Sequence, residues 1–231
     1  MSAFKNNQKI TLELHKLTCE RDDRILFSEL SAEFKAGDIV QIAGPNGAGK
    51  TTLLKLVIGL LPVTFGEIIW SCTGADANNA TLHESVMYLG HQPAVNLSLT
   101  ALENLKWYFG LNGRKSLNNR AQQPKQEDYL EALNTVGLSG YEHVLCSQMS
   151  AGQHRRVALA RLYLSDAPLW ILDEPFTAID KSGVQALENR IERHADTGGV
   201  VLLTTHQPLL HIENFRVLDI SVFIPKGLTS E

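Results

Sequence analysis

A mixed α/β fold is what this 231-residue chain predicts, and three observations carry the prediction. The apolar run "DIVQIAG" leads into the glycine-rich stretch "GPNGAGKT" (44–51), and "KTTLLKLVIGLL" leaves it with apolar residues at helical spacing. Two further apolar runs, "PLWILDE" and "GVVLLTTH", read as buried strands with polar ends. The helical pattern "VQALENRIERH" lies between them. Strands and helices that alternate in this way build parallel sheets with crossover helices.

The remaining elements follow in order. Alternation in "KITLELHKL" (9–17) and "ILFSELSAEF" (25–34) predicts two half-buried antiparallel strands ahead of the glycine loop. Pro62, Gly66 and the short strand "EIIW" close this first unit. After the strand in "SVMYLGHQP" the pattern turns helical. "TALENLKWYF" opens on Thr100 with Glu103 three residues on, the spacing of a capping box. "KQEDYLEALNTVGL" and "AGQHRRVALARLYL" are two more helices, and the Asn-, Gln- and Lys-rich stretch 111–126 predicts an exposed loop before them. The expected organisation is one domain over 1–231: an antiparallel β portion, a mixed α/β core and a helical insert over about 95–165.

Composition narrows the function. The chain is 44% hydrophobic and 20% charged with a net charge of −4, which is ordinary for a globular protein and gives no basic surface for nucleic acid. Arg155 and Arg156 are its only adjacent arginines, too few for a polyanion groove. Cys19, Cys72 and Cys146 are widely spaced and odd in number, as expected of buried thiols in a reducing compartment. The N-terminal "MSAFKNNQKITLEL" has no apolar leader pattern. No run approaches the roughly 18 apolar residues that span a bilayer. A cytoplasmic location is expected, with membrane contact through a partner.

The chemistry-bearing residues cluster in a few motifs. Gly44, Pro45, Asn46, Gly47, Ala48, Gly49, Lys50 and Thr51 satisfy GxxxxGK[ST] between a strand and a helix, the setting a phosphate-binding loop requires, with Thr52 following. Glycines let the backbone amides turn inward, Lys50 neutralises the β- and γ-phosphates, and Thr51 offers a hydroxyl to Mg²⁺. In "LWILDE", Asp173 would hold Mg²⁺ through water and Glu174 would polarise an attacking water. His206 ends the last buried strand. Gln92, after "VMYLG", is a candidate Mg²⁺ ligand and sensor of the γ-phosphate. Each has a plainer reading: an acidic loop, a structural histidine, a turn glutamine before Pro93. What joins them is the parallel layout, which brings strand C-termini to one edge.

"MSAGQHRR" (149–156) raises a separate question. Ser150 and Gln153 have capping-box spacing, which many helices use only to begin. Ala151 and Gly152 also leave the first-turn amides uncovered, as an anion site at a helix N-terminus needs. The order glycine loop, Gln, S-x-G-Q, hhhhDE and His resembles the ATP-binding cassette (ABC) ATPases over about 10–220, nearly the whole chain. The resemblance implies a P-loop NTPase fold of the ABC type, with ATP and Mg²⁺ as ligands. It also implies a second copy of the chain: Ser150, Gly152 and Gln153 of one subunit would face the γ-phosphate held by the Lys50 loop of the other. "TAID" (177–180) looks like the segment that crosses between the two sites.

Two departures stand out. Met149 and Ala151 replace the leucine and glycine of the usual LSGGQ. "TCERDDR" offers no aromatic where the family stacks adenine, which leaves two alternatives: stacking by the planar guanidinium of Arg21, or an adenine held loosely.

"CERDDRILF", "LGHQP", "LTALENL", "LWILDEPFTAID" and "LTTHQPL" further resemble the ATP-binding subunits of bacterial cytochrome c maturation systems, haem exporters of the ABC class. This implies a peripheral protein on the cytoplasmic face of the inner membrane. It would be bound to integral membrane permease subunits through the helical insert, with haem handled by those partners. Two alternatives share the same motifs: the ATPase of another small-molecule transporter, and a soluble ABC switch of the iron–sulfur assembly type.

Overall fold

Alternation places a half-buried strand at residues 9–17, and the computed structural model, which describes residues 9–21, 24–73, 81–111 and 124–225, carries it on to Arg21. The loop expected over 111–126 and the first eight residues lie for the most part outside the described residues. The chain runs β1 (Lys9–Arg21), β2 (Arg24–Lys35), β3 (Ile39–Ala43), α1 (Lys50–Val57), β4 (Phe65–Thr73), α2 (Leu82–Ser85) and β5 (Val86–Leu89). It continues α3 (Ala101–Leu111), α4 (Gln126–Thr135), α5 (Ala151–Leu164), β6 (Leu169–Asp173), α6 (Lys181–Asp196), β7 (Val200–Thr204) and β8 (Arg216–Asp219).

β1 pairs antiparallel with both β2 and β4 in the order β2-β1-β4. Its buried residues change phase along the strand: Ile10, Leu12 and Leu14, then Leu17 and Cys19. The extra residue is a bulge at His15–Lys16, where Lys16 is left-handed (φ 47°) and its amide donates to Ser31 Oγ at 2.9 Å. The same bulge fixes Gly66 opposite. A Cβ there would lie 2.4 Å from the His15 carbonyl, and φ is +90°.

The second sheet is parallel throughout, in the order β5-β6-β7-β3-β8. β6 and β7 are buried at every position because both faces are covered, which is why they read as unbroken apolar runs. On one face Leu169, Ile171 and Leu202 pack with α1 and with the inner side of the antiparallel sheet. On the other, Trp170, Leu172 and Leu203 pack with α5 and α6. Each such buried side chain contributes about 1.5–3 kcal/mol.

A third apolar cluster joins α3, α4 and α5 through Leu102, Leu105, Tyr129, Leu133 and Val157. Thr100 and Glu103 form the expected capping box at the start of α3, at 2.9 and 3.2 Å. The α5 helix serves two clusters at once, with Val157 and Ala160 in the third and Leu159 and Leu162 in the second. A helix packed on two sides has no solvent stripe, hence its weak amphipathic pattern.

Trp170 stacks on His194 of α6 with centroids 3.9 Å apart and planes 8° from parallel, while the Arg190 guanidinium lies 4.6 Å from the Trp170 centroid. Burial first, then the Arg190 charge, hold the imidazole's pKa down at about 3, against a hydrogen bond to the Pro168 carbonyl that raises it. The native state therefore keeps His194 neutral where the unfolded chain protonates it near 6.5. Its contribution is fully present above that value and is lost as pH falls from there toward about 3. Between pH 7 and 5 the loss is about 2 kcal/mol. His194→Gln, less stable at pH 7, should show a pH 7-to-5 loss smaller than the parent's by about this amount in urea unfolding. Equal losses in the two proteins would refute the assignment.

Candidate nucleotide site

Because β6, β7 and β3 are parallel neighbours, their C-terminal ends meet at one edge. The glycine loop follows β3, Asp173 and Glu174 end β6, and Thr204 to His206 end β7. A cavity of about 320 Å³ opens there, lined on the loop side by Asn46, Gly47, Gly49, Lys50, Thr51 and Thr52. Asp173, Glu174, Thr204 and His206 line the other side.

The loop folds as its glycines require. Gly47 (φ +81°) has nothing within 4 Å of a Cβ, so its need is conformational alone. Gly49 (φ +96°) caps α1 and lies against Leu26 and Phe27, 3.3 Å from where a Cβ would sit. Lys50 Nζ donates to the Gly44 and Pro45 carbonyls at 2.8 and 3.1 Å, which holds the ammonium across the loop's mouth.

Asp173 is 1% exposed, and its carboxylate accepts from Thr51 Oγ1 at 3.0 and 3.2 Å and from Thr204 Oγ1 at 2.7 Å. Thr204 Oγ1 in turn accepts the Glu174 amide at 2.9 Å. A hydroxyl and a carboxylate held together at the phosphate loop are hard oxygen donors and suit Mg²⁺, which takes one or two protein ligands beside phosphate and water. Glu174 is left-handed (φ 51°), and its Oε1 lies 3.5 Å from His206 Nε2.

Not every expected residue joins this cavity. Gln92 is exposed and outside the lining, whereas its neighbour His91 lines it. Ser150, Gly152 and Gln153 also lie outside, at the start of α5. There the capping box is present: Ser150 Oγ accepts from the Gln153 amide at 3.3 Å, and Gln153 Oε1 from the Ser150 amide at 2.8 Å. The Ala151 methyl is exposed and meets no constraint. Gly152 is different, since a Cβ would sit 3.3 Å from the Ala178 carbonyl of the 177–180 turn. Arg21 and Leu26 line the cavity near the β1–β2 hairpin, where an aromatic was missing.

Sequence reading passed over Thr204 and Arg155. Thr204 had a signal, a hydroxyl at the end of an apolar strand. Arg155 had none beyond standing in a pair; it is 3% exposed, and its partners among the described residues are backbone carbonyls.

The sequence matches the ABC transporter family over residues 27–177. It is 55% identical over 212 residues to the cytochrome c biogenesis ATP-binding export protein CcmA of Saccharophagus degradans, covering 92% of this chain and 94% of that one. Against the protein of the same description from Escherichia coli it is 49% identical over 198 residues, covering 86% and 90%. Among solved structures, a dimeric ATP-binding cassette in a post-hydrolysis state, bound to ADP and Pi, superposes with a TM-score of 0.72 at 22% identity, covering 90% of this chain and 94% of that one.

Glu174→Gln leaves the Lys50 loop and the Asp173 hydrogen bonds untouched. The variant should bind nucleoside triphosphate with the parent's affinity while hydrolysis falls about 10²-fold or more. Parental turnover would remove Glu174 from the reaction.

Proposed function

The chain belongs to the ABC transporter family of ATPases, and from that premise we propose that it is the ATP-hydrolysing subunit of a membrane export complex that serves cytochrome c biogenesis. One observation carries the enzymatic half: the phosphate loop, the Thr51–Asp173–Thr204 hydrogen bonds and Glu174 converge on a single cavity. The export half rests on the relatives' descriptions, with identities near one half over most of both chains.

ATP enters with its phosphates in the loop of residues 44–51, whose inward amides and Lys50 ammonium offset the charge. Thr51 and Asp173 are the residues that would hold Mg²⁺, with Gln92 a further candidate on the neighbouring segment. The ion supplies charge neutralisation at the phosphate oxygens. Glu174 orients and polarises water for attack on the γ-phosphate. His206, 3.5 Å from Glu174, reaches the same phosphate from the end of β7. Arg21 takes the adenine side of the cavity.

A second copy of the chain completes each site. The capped start of α5 lies outside its own chain's cavity, which supports a head-to-tail dimer in which Ser150, Gly152 and Gln153 meet the other subunit's ATP. Closure on ATP and reopening after hydrolysis then provide the stroke.

No helix among the described residues is long and apolar enough to cross a membrane. On the reading drawn from the export relatives, the stroke would reach integral membrane permease subunits from the cytoplasmic face of the bacterial inner membrane, through the helical segment 95–165. Haem, on this reading, is handled by those partners rather than bound here.

Two experiments test the export reading and the dimer separately. In its native host the chain should co-purify with integral membrane proteins; retrieval with soluble assembly factors alone would replace export with a soluble switch.

Ser150→Arg tests the dimer. As a plain cap, loss of the serine costs about 1 kcal/mol and spares turnover. As a phosphate contact to the other subunit, it should preserve ATP binding by the lone chain yet abolish ATP-dependent dimerisation and hydrolysis. Near-parental ATPase with only a lowered melting temperature would return Ser150 to a capping role.

A further inference from the structure

Arg155 is buried, and the functional reading above gives it nothing to do. It projects from the second turn of α5 and is 3% exposed. Nη1 donates to the Gly90 carbonyl at 2.9 Å and to the His91 carbonyl at 3.4 Å. Nη2 donates to the Asp173 carbonyl at 3.3 Å and to the Glu174 carbonyl. All four acceptors are backbone oxygens, at the ends of the neighbouring strands β5 and β6. A guanidinium buried without a carboxylate oxygen among its acceptors costs several kcal/mol of desolvation. Only its planar fork reaches two peptide groups on each side at once.

What it grips explains why that cost is borne. Glu174 is left-handed (φ 51°), an unfavourable conformation for a non-glycine residue unless its surroundings impose it. Both peptide groups that flank its Cα are held: the amide by Thr204 Oγ1 at 2.9 Å, the carbonyl by Arg155. The Thr177 amide donates to the same carbonyl at 3.3 Å, so Arg155 shares with this turn the setting of the Glu174 side-chain direction.

The other branch holds the segment that carries Gln92. Arg161, also 3% exposed, donates to the Ala94 carbonyl at 2.7 Å, so α5 grips that segment at both ends.

We propose that Arg155 is a positioning residue for hydrolysis: through backbone carbonyls it sets the turn bearing Glu174 and ties it, with the Gln92 segment, to the helix that starts at Ser150. This rests on Glu174 being the group that polarises water. Arg155 does not line the cavity, so its effect belongs to turnover and not to affinity.

The test uses the full-length chain, with MgATP affinity from titration of a fluorescent ATP analogue and kcat counted per nucleotide-binding site. Arg155→Met should lower kcat about tenfold or more while affinity stays within about twofold. Arg155→Lys, whose single ammonium reaches only part of the four carbonyls, should fall between parent and Met, and it decides the matter if the Met variant does not fold. A merely structural arginine would lower the melting temperature and the number of binding-competent sites but leave kcat per site at the parental value. That result overturns the proposal.

Adding Arg155→Met to Glu174→Gln should cost clearly less in single-turnover hydrolysis than Arg155→Met costs in the parent, because the part of its effect that acts through the Glu174 carboxylate is already lost. A full multiplicative loss would also overturn it. If Glu174→Gln alone hydrolyses at the parental rate, the reading of Glu174 has failed instead.

Discussion

Asp173 carries a carboxylate into the interior at the end of β6, and the hydroxyls of Thr51 and Thr204 receive it. These two donors come from the first turn of α1 and the end of β7, so one side chain ties together three elements that are far apart in sequence. A buried charge that lacked such donors would cost several kcal/mol. The parallel register satisfies this requirement. Asp173 pairs with Thr204 across β6 and β7, so the hydroxyl arrives beside the carboxylate without any special loop. The same Thr204 oxygen then accepts the Glu174 amide, and the placement of the second carboxylate follows from that of the first.

That arrangement also gives the two acids different surroundings. Asp173 is enclosed and hydrogen-bonded, suited to holding a hard cation beside the loop. Glu174 is turned away from the strand by its left-handed backbone and keeps 18% of its side chain exposed, where water can reach it. Adjacent carboxylates thus acquire different surroundings from backbone direction alone. His206, from the next strand end, faces the exposed carboxylate and not the buried one.

How much of this could be read from sequence depends on whether a residue's constraint is local. The glycine loop declares itself, since positive φ at Gly47 and Gly49 and the lysine that follows are all needed within eight residues. The runs of β6 and β7 are equally plain, because burial on both faces suppresses polar residues. β8 gave no such signal: as an edge strand with mostly exposed residues, "RVLD" shows neither alternation nor an apolar run. The β1 bulge is visible only as a change of phase between Leu14 and Leu17, which alternation alone does not interpret. Gln92, a candidate Mg²⁺ ligand from its place after β5, lies outside the cavity lining, where its neighbour His91 is found. Arg155 was opaque for a stronger reason. Its partners are carbonyls, which every residue possesses, so no side-chain pattern marks them.

The capped start of α5 shows how a structural motif and a binding motif can share residues. The Ser150 hydroxyl accepts from the Gln153 amide, and the Gln153 side-chain carbonyl accepts from the Ser150 amide. A helix start leaves four amides without internal partners, and this exchange satisfies only part of the set. The serine is left as a fixed donor, its O–H available to an acceptor from outside, on a helix whose dipole favours negative charge. Gly152, kept bare by the Ala178 carbonyl 3.3 Å from where a Cβ would sit, prevents a side chain from covering the first turn. Exposure alone does not separate the two uses, since the capping box of Thr81 and Glu84 at α2 is exposed as well; what the start of α5 adds is a first turn with only a methyl and a hydrogen over its amides.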